Sequence, residues 1–240
     1  MKTRRTILCG LLAVILALTF TTCKDVDDNG GGGGDLQKWT AVKDSTIWDY
    51  EFTSGNNTYT SKASINDIAY GKNRFVAVGE SGKIAYSTNG TTWTAVKDST
   101  FPASYTRSSL TLPYQINVIA YGNGRFVAGG GNSFDENGKM AYSTNGTSWT
   151  AVADNTFGDS SISAITYGNN RFVAVGEQGK MAYSDDGENW TAVADSTVWD
   201  YEYTLGNNTY TSKASIRAIA YAKNRFVAVG DNGKMAYCNW

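Results

Sequence analysis

The 240-residue chain contains no histidine. The commonest general base and the commonest metal ligand are therefore missing, and neither a Ser-His-Asp nor a Cys-His arrangement can be assembled. Gly79-Glu-Ser-Gly-Lys83 offers the glycine and lysine of a phosphate-binding loop. The spacing is short, however, Ile84 stands where Ser or Thr would meet a magnesium ion, and the same Gly-Lys recurs at Lys139, Lys180 and Lys234. Asp135-Glu136-Asn137-Gly138 gathers oxygen atoms without the alternating spacing of a calcium loop and reads as a polar turn. Two carboxylates suffice for glycoside hydrolysis, so a carboxylate pair is the one catalytic arrangement this composition leaves open. The expectation is a protein that is not an enzyme and uses no metal and no cofactor.

Aromatic side chains are what the sequence concentrates. Ile47-Trp48-Asp49-Tyr50-Glu51-Phe52-Thr53 alternates, turns at Gly55-Asn56-Asn57 and returns through Thr58-Tyr59-Thr60; Val198-Trp199-Asp200-Tyr201-Glu202-Tyr203 with Gly206-Asn207-Asn208-Thr209-Tyr210 repeats the design. Each predicts a β-hairpin with Trp48, Tyr50 and Phe52, or Trp199, Tyr201 and Tyr203, on one side and the acidic residues on the other. A third segment carries Phe101, Tyr105, Arg107 and Tyr114. Aromatic faces beside Asn and Asp suit sugar stacking or a protein hot spot. Packing of the hairpins onto the body is an equally good account of Trp48 and Trp199.

These segments interrupt a repeat. Ile65-Asn-Asp-Ile-Ala-Tyr-Gly-Lys-Asn-Arg-Phe-Val-Ala-Val-Gly has counterparts beginning at Ile116, Ile162 and Ile216, each followed by Gly-Lys-(Ile/Met)-Ala-Tyr. The first three continue into Ser-x-(Asn/Asp)-Gly-x-x-Trp-Thr-Ala-Val at Trp93, Trp149 and Trp190, spaced 56 and 41 residues apart. Each unit predicts four short strands, for the first unit residues 65–70, 74–78, 83–87 and 93–96, joined by Gly- and Asn-rich turns. The apolar run Phe75-Val-Ala-Val78 predicts a strand covered on both faces. Four-stranded units at this period predict propeller blades, and the fold class is all-β: a small β-propeller of four four-stranded blades. The fourth unit reaches Trp240 without a Trp-Thr-Ala-Val strand, and one such strand precedes the first unit at Trp39, Thr40, Ala41 and Val42. That strand is expected to complete the last blade and close the ring as a monomer. An open array that closes by oligomerising is the alternative.

Variation between the copies is confined to the fourth-to-first and second-to-third strand connections. In an up-and-down sheet both lie at one end, so the insertions decorate one face of the ring. Loops on a rigid scaffold are where binding tends to sit, and the candidate ligand-binding residues are Trp48, Tyr50, Phe52, Tyr105, Arg107, Tyr114, Trp199, Tyr201 and Tyr203.

The N-terminus reads as an address. Lys2, Arg4 and Arg5 precede an apolar run from Ile7 to Phe20 that ends at Thr21-Thr22-Cys23. The run is short for a bilayer span and suits a signal peptide. A cysteine at that point resembles the lipobox of bacterial lipoproteins, which implies acylation of Cys23 after removal of residues 1–22. Residues 23–35, with five glycines from Gly30 to Gly34, then form a tether reaching on the order of 20 Å, and residues 36–240 form the folded domain. The expected location is the bacterial cell envelope, outer membrane or cell surface, with the membrane engaged through the lipid alone. Removing the signal takes three of 21 basic residues and none of the 22 acidic ones, leaving a net charge of −4. Nucleic acid is not an expected partner. Cys238 is then the one unacylated thiol, placed where the other units have Ser, so no disulfide forms and the thiol is expected to be a small core residue.

The turns at Ser87-Thr-Asn-Gly-Thr-Thr-Trp93, Ser143-Thr-Asn-Gly-Thr-Ser-Trp149 and Ser184-Asp-Asp-Gly-Glu-Asn-Trp190 resemble the Asp-box of sialidase-like and photosystem-assembly-factor-like propellers. The box is one residue short and mostly carries Asn for Asp. The resemblance implies a folding element, with a polar side chain tying the turn and the Trp packing between blades, and is silent on activity. Sialidase chemistry would need an arginine triad. Arg74, Arg125, Arg171 and Arg225 share one repeat position, and after residue 22 only Arg107 and Arg217 stand outside it. The function expected is a non-catalytic envelope binding or adhesion module that engages a glycan or protein through the insertion face. An envelope scaffold is the alternative, and a glycoside hydrolase the third reading.

Overall fold

The computed structural model describes residues 40–43, 46–54, 57–107, 110–132, 138–194 and 196–240. Two units are distinguished, Met1–Val42 and Lys43–Trp240. The signal segment, Cys23, the glycine tether, Trp39 and the acidic run 133–137 lie outside the described residues.

Lys43–Trp240 is all-β, built of small antiparallel sheets in sequence order. The first sheet holds strands Ile65–Gly71, Arg74–Gly79, Ile84–Ser87 and Thr94–Ala95. The second holds Ile116–Gly122, Arg125–Gly130, Lys139–Ser143 and Thr150–Ala151, and the third Ile162–Gly168, Arg171–Gly176, Met181–Ser184 and Thr191–Ala192. The fourth sheet has three strands, Ile216–Ala222, Arg225–Gly230 and Met235–Cys238. Register is the same in every copy: Val76 faces Ala69 and Tyr86, and Val173 faces Thr166 and Tyr183. A bulge after the opening isoleucine recurs in all four sheets.

The sheets pack face to face, and their first strands lie side by side in the order first, second, third, fourth. The core is therefore a series of seams. Val76, Val78 and Ile84 of the first sheet close on Ile116, Ile119, Phe126 and Trp149 of the second. Val118, Val127 and Met140 of the second close on Ile162, Ile165, Phe172 and Trp190 of the third. Val175 of the third closes on Ile216 and Ala228 of the fourth, with Trp199 between them. Glycine is required at the strand end facing each seam. A Cβ on Gly71, Gly122 or Gly168 would stand 2.3, 2.0 or 2.1 Å from the ring of Tyr121, Tyr167 or Tyr221 in the next sheet.

The third-to-fourth strand turns are each tied by a serine and an Asn or Asp side chain. Ser87 Oγ donates to Asn89 Oδ1 at 3.0 Å and accepts from the Gly90 amide at 2.9 Å, while Asn89 Oδ1 accepts from Thr91 and Thr92. Ser143 with Asn145, and Ser184 with Asp186, repeat the pattern. Trp149 and Trp190 are buried and Trp93 is half-buried. The repeated arginines are structural, each guanidinium lying over the third-strand tyrosine of its own sheet, from 4.5 Å for Arg171 on Tyr183 to 5.3 Å for Arg74 on Tyr86.

Two expectations need correction. Thr40, Ala41 and Val42 carry no strand and are exposed, and among the described residues the sheet they were to complete has three strands. The physical reason lies in the other fourth strands. Each is two residues long and is delivered by a tight turn from the strand it pairs with. Residues 40–42 have no such turn to deliver them to a partner strand. Cys238, expected as a core residue, is a half-buried free thiol, because the face it shares with Phe226 and Ala236 borders an apolar cleft against Val173 and Met181 of the third sheet.

Candidate functional site

The long connections build β-hairpins. Asp49–Ser54 pairs with Asn57–Lys62, and Asp200–Leu205 with Asn208–Lys213, in one register. The third segment folds likewise, Ser104–Arg107 against Leu110–Pro113. Alternating β-formers around a two-residue turn explain all three. In the first hairpin the cross-strand pair Asp49 and Lys62 forms an ion pair, and Asp200 with Lys213 does so in the second.

Phe52 faces Tyr59 across the first hairpin, with ring centroids 5.5 Å apart and planes within 23°, and Tyr50 lies 6.0 Å from Phe52. Tyr203 and Tyr210 repeat this stack at 5.5 Å and 23°, with Tyr201 at 6.1 Å. Phe52, Tyr59, Tyr203 and Tyr210 are between 43% and 47% exposed, so each ladder offers ring faces to solvent. Tyr50 and Tyr201 are half-buried at the foot of their ladders.

Two of the expected residues are buried instead. Trp199 is fully buried between the third and fourth sheets, its Cβ 2.9 Å from where a Cβ on Gly179 would stand. Tyr114 is buried with Phe101, and its hydroxyl accepts the Lys139 amide at 3.2 Å. Burial pushes the Tyr114 phenol well above its usual pKa, against the Lys139 hydrogen bond. Both are packing residues: the neighbouring sheet's apolar face, rather than a ligand, takes their rings. Trp48 is half-buried. Tyr105 is half-buried and accepts from Asn132 Nδ2 at 2.8 Å, which joins the hairpin to the second sheet's insertion. The side chain of Arg107 lies outside the described residues. Tyr59 and Tyr210 were the residues missed; the strand register sets them opposite Phe52 and Tyr203.

A polar cleft of about 460 Å³ opens at the same end of the sheets, lined by Gln115, Asn117, Asn132, Ser163, Glu177 and Arg217 among others. Asn117 Nδ2 donates to the carbonyls of Gly131 and Ile162 and to Ser161 Oγ, at 2.9 to 3.1 Å, and so ties the second sheet to the third. Asn66 does the same between the first and second sheets, through Gln115 and the Ile116 carbonyl. Arg217 grips Asp231 with two hydrogen bonds, which hold the Asp231 carboxyl below its usual range. That is the wrong direction for a general acid, which glycoside hydrolysis needs. Amides, hydroxyls and one ion pair can hydrogen-bond a polyhydroxyl ligand. Among the described residues no cluster of three or more Cys, Asp or Glu side chains is arranged to hold a metal ion.

No family model matches the chain, and no curated protein does. Solved structures similar to it include the computationally designed Ika4 protein, at 14% identity and a TM-score of 0.47 over 75% of this chain and 92% of that one. BamB from Moraxella catarrhalis is similar at 8% identity and a TM-score of 0.45 over 73% of this chain. YCF48 from Cyanidioschyzon merolae is similar at 17% identity and a TM-score of 0.45 over 70% of this chain. BamB and YCF48 are β-propeller proteins; the chain spans 43% of the first and 50% of the second.

Proposed function

We propose that this chain is a non-catalytic binding module whose insertion face engages a glycan. The four sheets act as propeller blades with Asp-box-like turns, and the module is held in the bacterial cell envelope by a lipid on Cys23. The twin aromatic ladders carry the reading. Two copies of one hairpin, 151 residues apart in the chain, each leave a stacked aromatic pair facing solvent. Rings kept exposed twice, each time as a stacked cross-strand pair on an insert, suit the apolar faces of sugar rings. The cleft lined by amides and hydroxyls suits sugar hydroxyls.

The protein reading rests on the same rings, since tyrosines with few rotatable bonds also make protein hot spots. A glycan array and an envelope-protein pull-down, run in parallel on the full chain and on a Tyr203→Ala/Tyr210→Ala variant, separate the two. The proposal expects a glycan signal that the variant loses. Loss of a co-purifying protein instead, with a blank array, establishes the scaffold. Release of free sugar from a bound glycan, abolished by Asp231→Asn or Glu177→Gln, establishes a hydrolase.

A further inference from the structure

The chain builds one kind of seam three times and leaves the two halves of a fourth exposed. On the trailing face, Val76 and Val127 are fully buried and Ile84 and Met140 nearly so. Their equivalents in the fourth sheet, Val227 and Met235, are 37% and 67% exposed, and Tyr237 beside them 67%. On the leading face, Ile116, Ile162 and Ile216 are fully buried, whereas Ile65 of the first sheet is 56% exposed. The inserts follow the same rule. Trp199 seats on Gly179 of the preceding sheet, while Gly233, the equivalent glycine of the fourth sheet, has nothing within 4 Å of its position and Trp48 is half-buried.

The two open faces do not find each other within the chain. First strands pack first on second, second on third and third on fourth, and the fourth makes no comparable packing with the first. The first two seams are close-packed, and the third keeps an apolar cleft of about 160 Å³ between Val173 and Met181 on one side and Phe226 and Ala236 on the other. A leading face and a trailing face that differ make a head-to-tail contact. We infer that the trailing face of the fourth sheet receives the leading face of the first sheet of a second copy: Ile65, Tyr70 and Trp48 of one chain on Val227, Met235 and Gly233 of the other. The structure thus favours association where the sequence led to a monomer. What marks the occupant is the repeat itself, because on the three preceding sheets the same residues cover the same face.

One position makes the intermolecular seam weaker than the three internal ones. The strand-end glycine that receives a tyrosine ring in every internal seam is Ala222 in the fourth sheet. Its methyl meets Tyr70 where the others offer space, so Tyr70 must shift for the copies to dock. Ala222→Gly removes the obstruction and is expected to tighten association about tenfold.

The test uses full-length chains in which Cys9, Cys23 and Cys238 are replaced by serine. One population carries Tyr70→Cys and the other Ala222→Cys. At the equivalent place in the seam between the third and fourth sheets, a Cβ on Gly168 would stand 2.7 Å from the Tyr221 Cβ, close enough that a small relaxation reaches disulfide geometry. Mixing and oxidation are expected to give a species of twice the chain mass, which Ile65→Asp or Val227→Asp abolishes. Both of these positions are exposed in the single chain, so the variants keep the fold, checked by circular dichroism. Light scattering on the wild type is expected to show mass rising with concentration. Wild type at single-chain mass with no cross-link on mixing overturns the inference. So does a chain carrying both cysteines that oxidises internally at single-chain mass, because closure would then occur within one chain.

Discussion

Residues 46–65 and 197–216 are two copies of one insert, differing only at Ile47/Val198, Phe52/Tyr203 and Ser54/Leu205. Both fold into the same hairpin, with the same register and the same aromatic stack. Their burial differs. Trp199 and Ile216 are fully enclosed, whereas Trp48 is half-buried and Ile65 exposed. The second insert follows a complete sheet whose Val175 and Gly179 receive it; the first has no such sheet before it within Lys43–Trp240. Local sequence thus makes the hairpin and its ladder, and the preceding sheet makes the core.

The comparison is broken most directly by removing each tryptophan. Trp199→Ala is expected to cost about 3–5 kcal/mol in urea unfolding, the range for a buried large-to-small change. Trp48→Ala is expected to cost under about half as much, and equal losses would show that both inserts are docked alike. The strand-end glycines come next. Gly168→Ala drives a methyl into the Tyr221 ring and is expected to cost about 1–3 kcal/mol as overpacking. Ala222→Gly in the fourth sheet touches no such ring and is expected to cost less than about 1 kcal/mol.

A smaller effect comes from the turns. Asp186 sits where the first two sheets have Asn89 and Asn145. Desolvation alone would raise its pKa, but the amides of Asn189 and Glu188, the Asn189 side chain and the Ser184 hydroxyl outweigh it and hold the carboxyl below its usual range. A depressed folded pKa adds stability above the unfolded value, and this is lost as pH falls through the folded one. Asp186→Asn is therefore expected to lower stability above the unfolded carboxylate pKa and to flatten the acid limb of the stability profile. The smallest stability effect belongs to the ladders. Tyr203→Ala with Tyr210→Ala is expected to stay within about 0.5 kcal/mol per site, so that loss of glycan capture reports binding alone.

Sheet number, strand order, hairpins and the polar turns were legible because each is written in local pattern: alternation, Gly-Asn turns, Ser-x-Asn-Gly. Which aromatics would be exposed was not. Trp48 and Trp199 read identically, and Tyr114 reads like Tyr105, because the face that buries a ring belongs to another repeat. The cleft was invisible for the same reason, since Gln115, Ser163 and Arg217 open three different sheets. The pairing of residues 39–42 with the fourth sheet read well as sequence register, but register carries no information on whether the two ends of the array can meet.

Amide hydrogen exchange read by mass spectrometry tests most directly whether the preceding sheet is what holds an insert, because the peptides spanning 46–65 and 197–216 can be followed in one sample. In dilute solution the account predicts that the second hairpin exchanges several-fold more slowly than the first, although the two have nearly the same sequence and hydrogen bonds. Equal protection of both at the lowest concentration would contradict it, since the first insert would then already be seated within its own chain.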